Sequence, residues 1–338
     1  MKAPELKKLK SILAKPRKIV IVTHWSPDGD AMGSSLGLYN YLVKKKHKVN
    51  VITPNAYPTF LSWLPANSKV LDYQNDTPKA EKLIAAAELI FCLDFNSLQR
   101  IDKMAVPVAA SAAVKVMIDH HLQPDNFALY MHHSVKACST CELIYTFIEL
   151  MGDKKLLDKK IANCLYTGIM TDTGSFRYPS TTAETHRIVA GLIDAGAENG
   201  MIHNRVYDDN TESRLKLLGY CLCEKMVIMP EYHTGYITLT EEEQHRFNYQ
   251  KGDTEGLVNY ILSMRGMKFA AFMTDRDGII KISFRSKGNF DVNTFARLNF
   301  KGGGHKNAAG GMSADKMEPT VARFRELVLK HRKELSKE

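Results

Sequence analysis

Three apolar runs that lead straight into acids or imidazoles limit this chain most. Lys18–Thr23 (KIVIVT) runs into His24, residues 89–94 (LIFCLD) end in a carboxylate, and Val114–Asp119 (VKVMID) is followed by His120-His121. Unbroken apolar runs of this length mark strands covered on both faces, the situation of a parallel sheet flanked by helices. A further strand is expected at 49–53, with helices at 2–14, 31–46, 80–87, 139–151, 158–171 and 182–195. Strands alternating with helices read as βαβ units. In such sheets ligands collect at the carboxyl ends of the strands.

The pattern changes at the turn-rich segment Ala195-Gly-Ala-Glu-Asn-Gly200. Beyond it we expect a helix at 209–224, strands at Met226–Met229, 235–239, 269–274 and 279–284, and a last helix at 318–335. Asp277-Gly278 is a hairpin signal between two of those strands. The fold class expected is therefore α/β in two lobes: a parallel-sheet domain at 1–195, a linker at 196–210, and a smaller mixed-sheet α/β domain at 211–338, with a cleft between the lobes.

A length of 338 residues suits about two domains. With 44% hydrophobic and 25% charged residues the chain resembles an ordinary globular protein rather than a disordered one. The longest apolar candidate, 105–118, is cut by Lys115, and Lys or Arg recurs throughout 1–18. A membrane span and a secretory signal are thus not expected, and the reading is cytoplasmic. The six cysteines (Cys92, Cys138, Cys141, Cys164, Cys221, Cys223) fit buried reduced thiols. Cys138-x-x-Cys141 has the spacing of half a zinc site, but no second pair follows.

The net charge of +9 sits at the ends: +6 belongs to residues 1–18 and +3 to 321–338, which leaves 19–320 neutral. That argues against a long duplex nucleic acid as partner. One internal stretch, Lys268 to Lys306, holds eight Lys/Arg against three Asp and suits a small polyanion.

Residue chemistry sharpens the first lobe. His24, Asp28, Asp30, Asp94, Asp119, His120 and His121 all lie at strand ends, and Asp172 follows a helix. Taken singly, a Pro-Asp-Gly is a turn and an Asp at a strand end is a helix cap. Taken together on one rim, so many carboxylates repel unless cations neutralise them. Mixed Asp/His donors suit Mn²⁺ better than Mg²⁺. More than four donors with a shared carboxylate suggests two ions ~3.5–4 Å apart. In the second lobe, Lys301-Gly302-Gly303-Gly304-His305 lies within the basic stretch, downstream of Arg285, Ser286 and Asn293. Glycines admit a phosphate close to backbone N–H groups, and Arg suits bidentate phosphate contact. Phe290, Phe295 and Phe300 are either core residues or a wall for stacking bases.

These segments resemble the motifs of the DHH phosphoesterase superfamily: His24-x-x-x-Asp28-x-Asp30, Asp94, Asp119-His120-His121 and Asp172. Gly302-Gly-Gly-His305 resembles the signature of the DHH-associated domain. The two-domain length is most similar to the nanoRNase and pAp-phosphatase branch, without the extra domains of RecJ-type exonucleases or the membrane segments of cyclic-di-AMP phosphodiesterases. The resemblance implies two Mn²⁺ ions (Mg²⁺ as alternative). His24 and Asp28 would hold one, Asp30, His120 and Asp172 the other, and Asp94 both. It implies catalytic roles for Asp94, Asp119 and His121, and substrate contacts from Arg285, Ser286, Asn293, Gly303, Gly304 and His305. Short RNA, pAp and linear or cyclic dinucleotides are the substrates implied, with a homodimer left open. An exopolyphosphatase or pyrophosphatase using the same centre is the alternative. A nucleotide-binding module with structural metals is the alternative of another class, disfavoured because structural sites are usually closed.

Overall fold

The computed structural model describes residues 1–276 and 278–336. It divides into two compact units, Met1–Asp209 and Asn210–Glu338.

The first unit is built on six strands: β1 (Lys18–Thr23), β2 (Lys48–Thr53), β3 (Val70–Asp72), β4 (Leu89–Leu93), β5 (Val114–Asp119) and β6 (Tyr130–His133). They lie in the order β3-β2-β1-β4-β5-β6, and every neighbouring pair is parallel. Alternation along β1 explains its unbroken apolar run. Ile19 and Ile21 join one core with the helices Gly29–Lys44, Thr140–Met151 and Lys159–Asp172, while Val20 and Val22 face a second core with Ile84, Ile101, Met104 and Val108. The chain leaves β1 for β2 and β3 on one side, then returns to place β4 on the other side of β1. That reversal opens a crevice at the carboxyl ends of β1 and β4.

Small residues let two helices close over this crevice. A Cβ built on Gly33 would stand 2.5 Å from the Cys164 carbonyl oxygen, and one on Gly37 2.6 Å from Leu165. Gly168 faces back: its Cβ would fall 2.2 Å from Cys141 Sγ and 2.9 Å from Asp30 Oδ1. The helices Gly29–Lys44 and Lys159–Asp172 thereby bring Asp30, near the start of one, toward Asp172, the last residue of the other.

In this unit two strands escaped the sequence reading, β3 and β6, which are edge strands of three and four residues. They are too short to show a period.

The second unit carries β7 (Met226–Met229), β8 (Thr234–Leu239), β9 (Phe269–Arg276), β10 (Ile279–Ser286), β11 (Gly303–His305) and β12 (Ala308–Ser313). The order is β11-β12-β10-β9-β8-β7, with β8 and β9 parallel and the other pairs antiparallel. Strand β10 alternates buried with more exposed residues, as expected of a sheet half-open to solvent. β9 and β10 pair from Arg276 and Ile279 onward. Of the hairpin dipeptide expected there, Asp277 lies outside the described residues. The helix expected at 209–224 covers Glu212–Tyr220 and ends in a π-type turn at Cys221–Lys225.

Phe290, Phe295 and Phe300 are core residues, 7%, 3% and 1% exposed, packed around Phe269, Phe284 and Phe324. They offer no base-stacking wall, because filling a small sheet's core uses their rings. All six cysteines are free thiols, five buried, but Cys223 is exposed where a buried thiol was expected. Among the described residues no helix is long and apolar enough to cross a membrane.

Candidate active site

Strand β1 delivers His24 and the turn behind it. Asp28 caps the next helix, its Oδ1 accepting the N–H groups of Asp30 (3.0 Å) and Ala31 (3.1 Å). The cap reading of Pro-Asp-Gly is therefore right, and it does not exhaust the residue. His24 Nε2 lies 3.8 Å from Asp28 Oδ1 and 3.4 Å from Asp94 Oδ2. His24 Nδ1 faces the Trp25 carbonyl at 2.8 Å. A proton on Nδ1 satisfies that carbonyl and leaves the Nε2 lone pair facing the carboxylates, the usual arrangement of a metal-binding histidine. Trp25 and Ser26, without a role in the sequence reading, fix this turn. The Trp25 N–H donates to the Arg100 carbonyl (2.7 Å) and the Ser26 N–H to Asn55 Oδ1 (2.7 Å).

A second set faces the first across Asp94. His120 Nε2 lies 3.6 Å from Asp94 Oδ1, 3.4 Å from Asp172 Oδ2 and 3.8 Å from Asp30 Oδ2. Its Nδ1 also faces a carbonyl, that of Ala137, at 3.3 Å. Asp94 thus presents one oxygen to each group. It sits just past β4 in a left-handed conformation (φ 64°), uncommon for a non-glycine residue and a form of strain concentrated at functional sites.

The structure accordingly brings His24, Asp28 and Asp94 into one cluster, and Asp30, His120 and Asp172 into another. Donors about one octahedral ion at ~2.1 Å stand about 3–4 Å apart. The spacings fit that, and imidazole nitrogen with carboxylate oxygen is a donor set for Mn²⁺ or a similar ion.

The electrostatics of the bare protein show the same need. Burial alone would push His24 down, yet the hydrogen bonds and charges of Asp28 and Asp94 raise it to about 10. Burial, then the Asp94 and Asp172 charges, push Asp30 well above the usual carboxylate range. Against burial, His24 and His121 hold Asp94 well below it. Four carboxylates, those of Asp28, Asp30, Asp94 and Asp172, converge here on the two imidazoles of His24 and His120. Divalent ions would relieve that imbalance.

A third cluster joins Asp94, Asp119 and His121. His121 Nδ1 lies 2.7 Å from Asp119 Oδ1, and its backbone N–H donates to Asp119 Oδ2 at 3.1 Å. Burial, then the Arg100 charge, push His121 well below its ordinary value, so its ring is neutral near pH 7.

Two contributors were not foreseen. The Thr140 and Cys141 N–H groups, at the start of the helix Thr140–Met151, donate to Asp30 Oδ2 (2.6 Å) and Oδ1 (2.9 Å). Thr140 Oγ1 donates to Asp94 Oδ1 at 2.9 Å. A helix N-terminus thus orients one carboxylate while its first hydroxyl holds another. The Cys138-x-x-Cys141 pair belongs here as helix-start packing: Cys141 Sγ lies 3.6 Å from the Asp30 carbonyl and Cys138 Sγ 3.0 Å from Glu142 Oε2.

The second unit gathers its own set. Asn293 Oδ1 accepts the Gly304 N–H at 2.9 Å and Arg297 Nε at 3.3 Å. Buried Ser286 donates to the Phe290 carbonyl (2.7 Å) and accepts from Asn307 Nδ2 (2.9 Å). These two hold β11 and the loop after β10 in place. Two glycines of the triple, Gly303 and Gly304, lie in strand β11, and Gly302 leads into it. A Cβ on Gly302 would strike the Gly310 carbonyl oxygen at 2.0 Å, and one on Gly304, where φ is +155°, the Ala308 carbonyl oxygen at 2.5 Å. At Gly303 the nearest atoms are 3.5 Å away, so the fold itself does not require glycine there. Arg285 pairs with Ala308 in the sheet, and His305 ends β11.

Comparison with known proteins agrees with this division. Residues 18–169 match the DHH family N-terminal domain and 233–332 the DHHA1 domain. A Thermus thermophilus protein named bifunctional oligoribonuclease and PAP phosphatase NrnA is 32% identical over 296 residues, 86% of this chain and 83% of its own. The chain belongs to the DHH phosphoesterase family. A solved structure of a Bacteroides fragilis protein described as exopolyphosphatase-related matches this DHH protein with a TM-score of 0.94 and 43% identity, over 99% of this chain and 98% of its own. RecJ from Thermus thermophilus, solved with Mn²⁺, shares the fold at a TM-score of 0.52 and 13% identity, over 96% of this chain and 55% of its own.

Proposed function

We propose that this DHH phosphoesterase degrades short oligoribonucleotides and removes a phosphate from pAp, and that it accepts linear or cyclic dinucleotides through the same centre. The observation that carries the reading is the Asp94 carboxylate, with one oxygen toward His24 and the other toward His120. That geometry suits two Mn²⁺ ions, one held by His24, Asp28 and Asp94, the other by Asp30, His120, Asp172 and Asp94. Bound there, such ions supply Lewis acidity toward a phosphoryl group and acidify water. The names of the relatives point to short RNA and pAp as the substrates.

The side chains divide the remaining work. Thr140 and the helix start behind it hold Asp94 and Asp30 in fixed orientations, so little reorganisation accompanies the reaction. Asp119 fixes His121 with Nδ1 protonated. The neutral ring then carries a lone pair on Nε2, able to take and return a proton at the ester oxygens. Arg285, His305 and the open backbone at Gly303 hold a substrate phosphate away from the reacting bond, Asn293 and Ser286 acting by shaping β11.

The name of the Bacteroides fragilis protein favours a second reading, hydrolysis of polyphosphate. One assay separates the two: protein with Mn²⁺ and, in parallel, pAp, pApA, cyclic di-AMP, a five-nucleotide RNA, a long RNA and polyphosphate. Turnover of pAp and the five-nucleotide RNA above all others is expected. Polyphosphate as the preferred substrate overturns the nucleotide reading.

A further inference from the structure

One short segment serves the cluster of Asp30, His120 and Asp172. The Ala137 carbonyl faces His120 Nδ1 at 3.3 Å, the Thr140 and Cys141 N–H groups hold Asp30, and Thr140 Oγ1 holds Asp94. Among the described residues, the hydrogen bonds of this segment reach neither His24 nor Asp28. Residues 137–141 thus orient one group of donors far more than the other. An N–H aims a carboxylate only as firmly as its own turn is held.

Glu142 holds that turn from behind. Its N–H donates to Ser139 Oγ, the cap of the helix Thr140–Met151, at 3.0 Å. Its Oε2 accepts from Thr185 Oγ1 at 2.8 Å and from Cys138 Sγ at 3.0 Å. Thr185 lies 43 positions on, in the helix Ala183–Asp194. There its Oγ1 accepts the Thr182 N–H at 3.2 Å, and its own N–H donates to Thr182 Oγ1 at 3.1 Å. A threonine hydroxyl has one proton, and Thr185 directs it to Glu142. Cys138, Ser139, Thr140, Cys141, Glu142 and Thr185 are all buried. Burying a carboxylate is costly, and an apolar side chain would fill the place more cheaply. What the carboxylate adds is direction, because its bonds fix the turn against a second helix.

We propose that Glu142 and Thr185 are positioning residues for one of the two metal sites. Their hydrogen bond clamps the first turn of Thr140–Met151 to the helix Ala183–Asp194, and the clamped turn aims its N–H groups at Asp30. The assignment rests on the two-ion reading of the same centre. The pair raises affinity for the ion of Asp30, His120, Asp172 and Asp94, and acts much less on the ion of His24, Asp28 and Asp94. Partners that orient a metal ligand from behind contribute ~10–100-fold to affinity.

The experiment titrates Mn²⁺ by calorimetry into wild-type protein, Thr185→Val, Thr185→Ala, Thr185→Ser and Glu142→Gln, with Asp172→Asn to mark the site in question. Wild type should take up two ions in separable steps, of which Asp172→Asn removes one. Thr185→Val and Thr185→Ala should weaken that same step at least ~10-fold and the other less than ~3-fold. Thr185→Ser restores the hydroxyl and should recover wild-type binding. Glu142→Gln keeps an oxygen acceptor without the charge and should bind nearly as wild type. Unchanged binding without the hydroxyl, or equal weakening of both steps, overturns the assignment. So does a failure of serine to recover binding, or a loss in Glu142→Gln as large as in Thr185→Val. A single step in wild type overturns the two-ion reading and the assignment with it. Two steps without turnover of pAp or short RNA overturn the functional reading alone.

Discussion

The two units handle polar groups in opposite ways. In the first, like charges are gathered: four carboxylates surround two imidazoles at 3.4–3.8 Å. In the second, the polar residues read as substrate contacts are partly spent on their own fold, Asn293 on Gly304 and Ser286 on Phe290 and Asn307. Gathered like charges mark a place that a cation would neutralise. Satisfied polar groups around a glycine strand mark a shape held ready. Under the proposed function, chemistry belongs to the first unit and recognition to the second.

The hardest blow to that division is at Asp94. Asp94→Ala removes the carboxylate facing both histidines, and turnover on every phosphoester should fall ~10³-fold or more, as when a principal electrostatic element is lost. Near-normal turnover in saturating Mn²⁺ would break the comparison outright.

A subtler strike keeps every charged group. Gly168→Ala puts a methyl into Cys141 Sγ and Asp30 Oδ1. A displacement of ~1 Å in a reacting centre costs about 10²-fold. Calorimetric Mn²⁺ titration should show weakened binding with secondary structure unchanged by circular dichroism.

In the second unit the effect should depend on the substrate. Arg285→Ala should lower kcat/KM on pAp by ~10–100-fold, the worth of ~1.5–3 kcal/mol for a hydrogen bond to a charged group. It should spare bis-p-nitrophenyl phosphate, which has no second phosphate to hold. Equal losses on both would place Arg285 in the chemistry. Gly303→Ala sharpens the point, since the fold has room for its methyl: an unchanged thermal midpoint with weaker pAp binding is expected.

The smallest effect is a control from the first unit, a charge that is satisfied. Asp153 Oδ2 is 2.5 Å from both Lys45 Nζ and Tyr41 Oη. Burial alone would raise its carboxyl, but those partners hold it below the usual carboxylate range. A depressed carboxyl stabilises the fold above about pH 4, and the contribution disappears as pH falls through the folded value. Asp153→Asn should therefore cost ~1 kcal/mol at pH 7, its side chain being mostly covered. Urea midpoints should show the gap closing below pH 4, with turnover unaffected throughout.

Much of the catalytic unit was legible because its signals are local. A strand buried on both faces needs an unbroken apolar run, so β1, β4 and β5 announced themselves and their ends exposed His24, Asp94 and His120. The glycines and Arg285 were equally visible, but the reason for Gly302 and Gly304 was not, because it lies in the carbonyls of the paired strand β12. The phenylalanines show the same limit. A ring near a glycine motif reads alike as wall or core until a sheet closes over it.

Residue types and their order along the chain determined the parallel sheet and the acids and imidazoles at its rim, since each depends on neighbours a few positions away. Tertiary structure alone decided how those groups meet. The contacts of Thr140 and Cys141 with Asp30 span 110 and 111 positions, and no periodicity reaches so far. The left-handed backbone at Asp94 has the same origin: packing forces it into place, and only the packed chain shows where its charge falls.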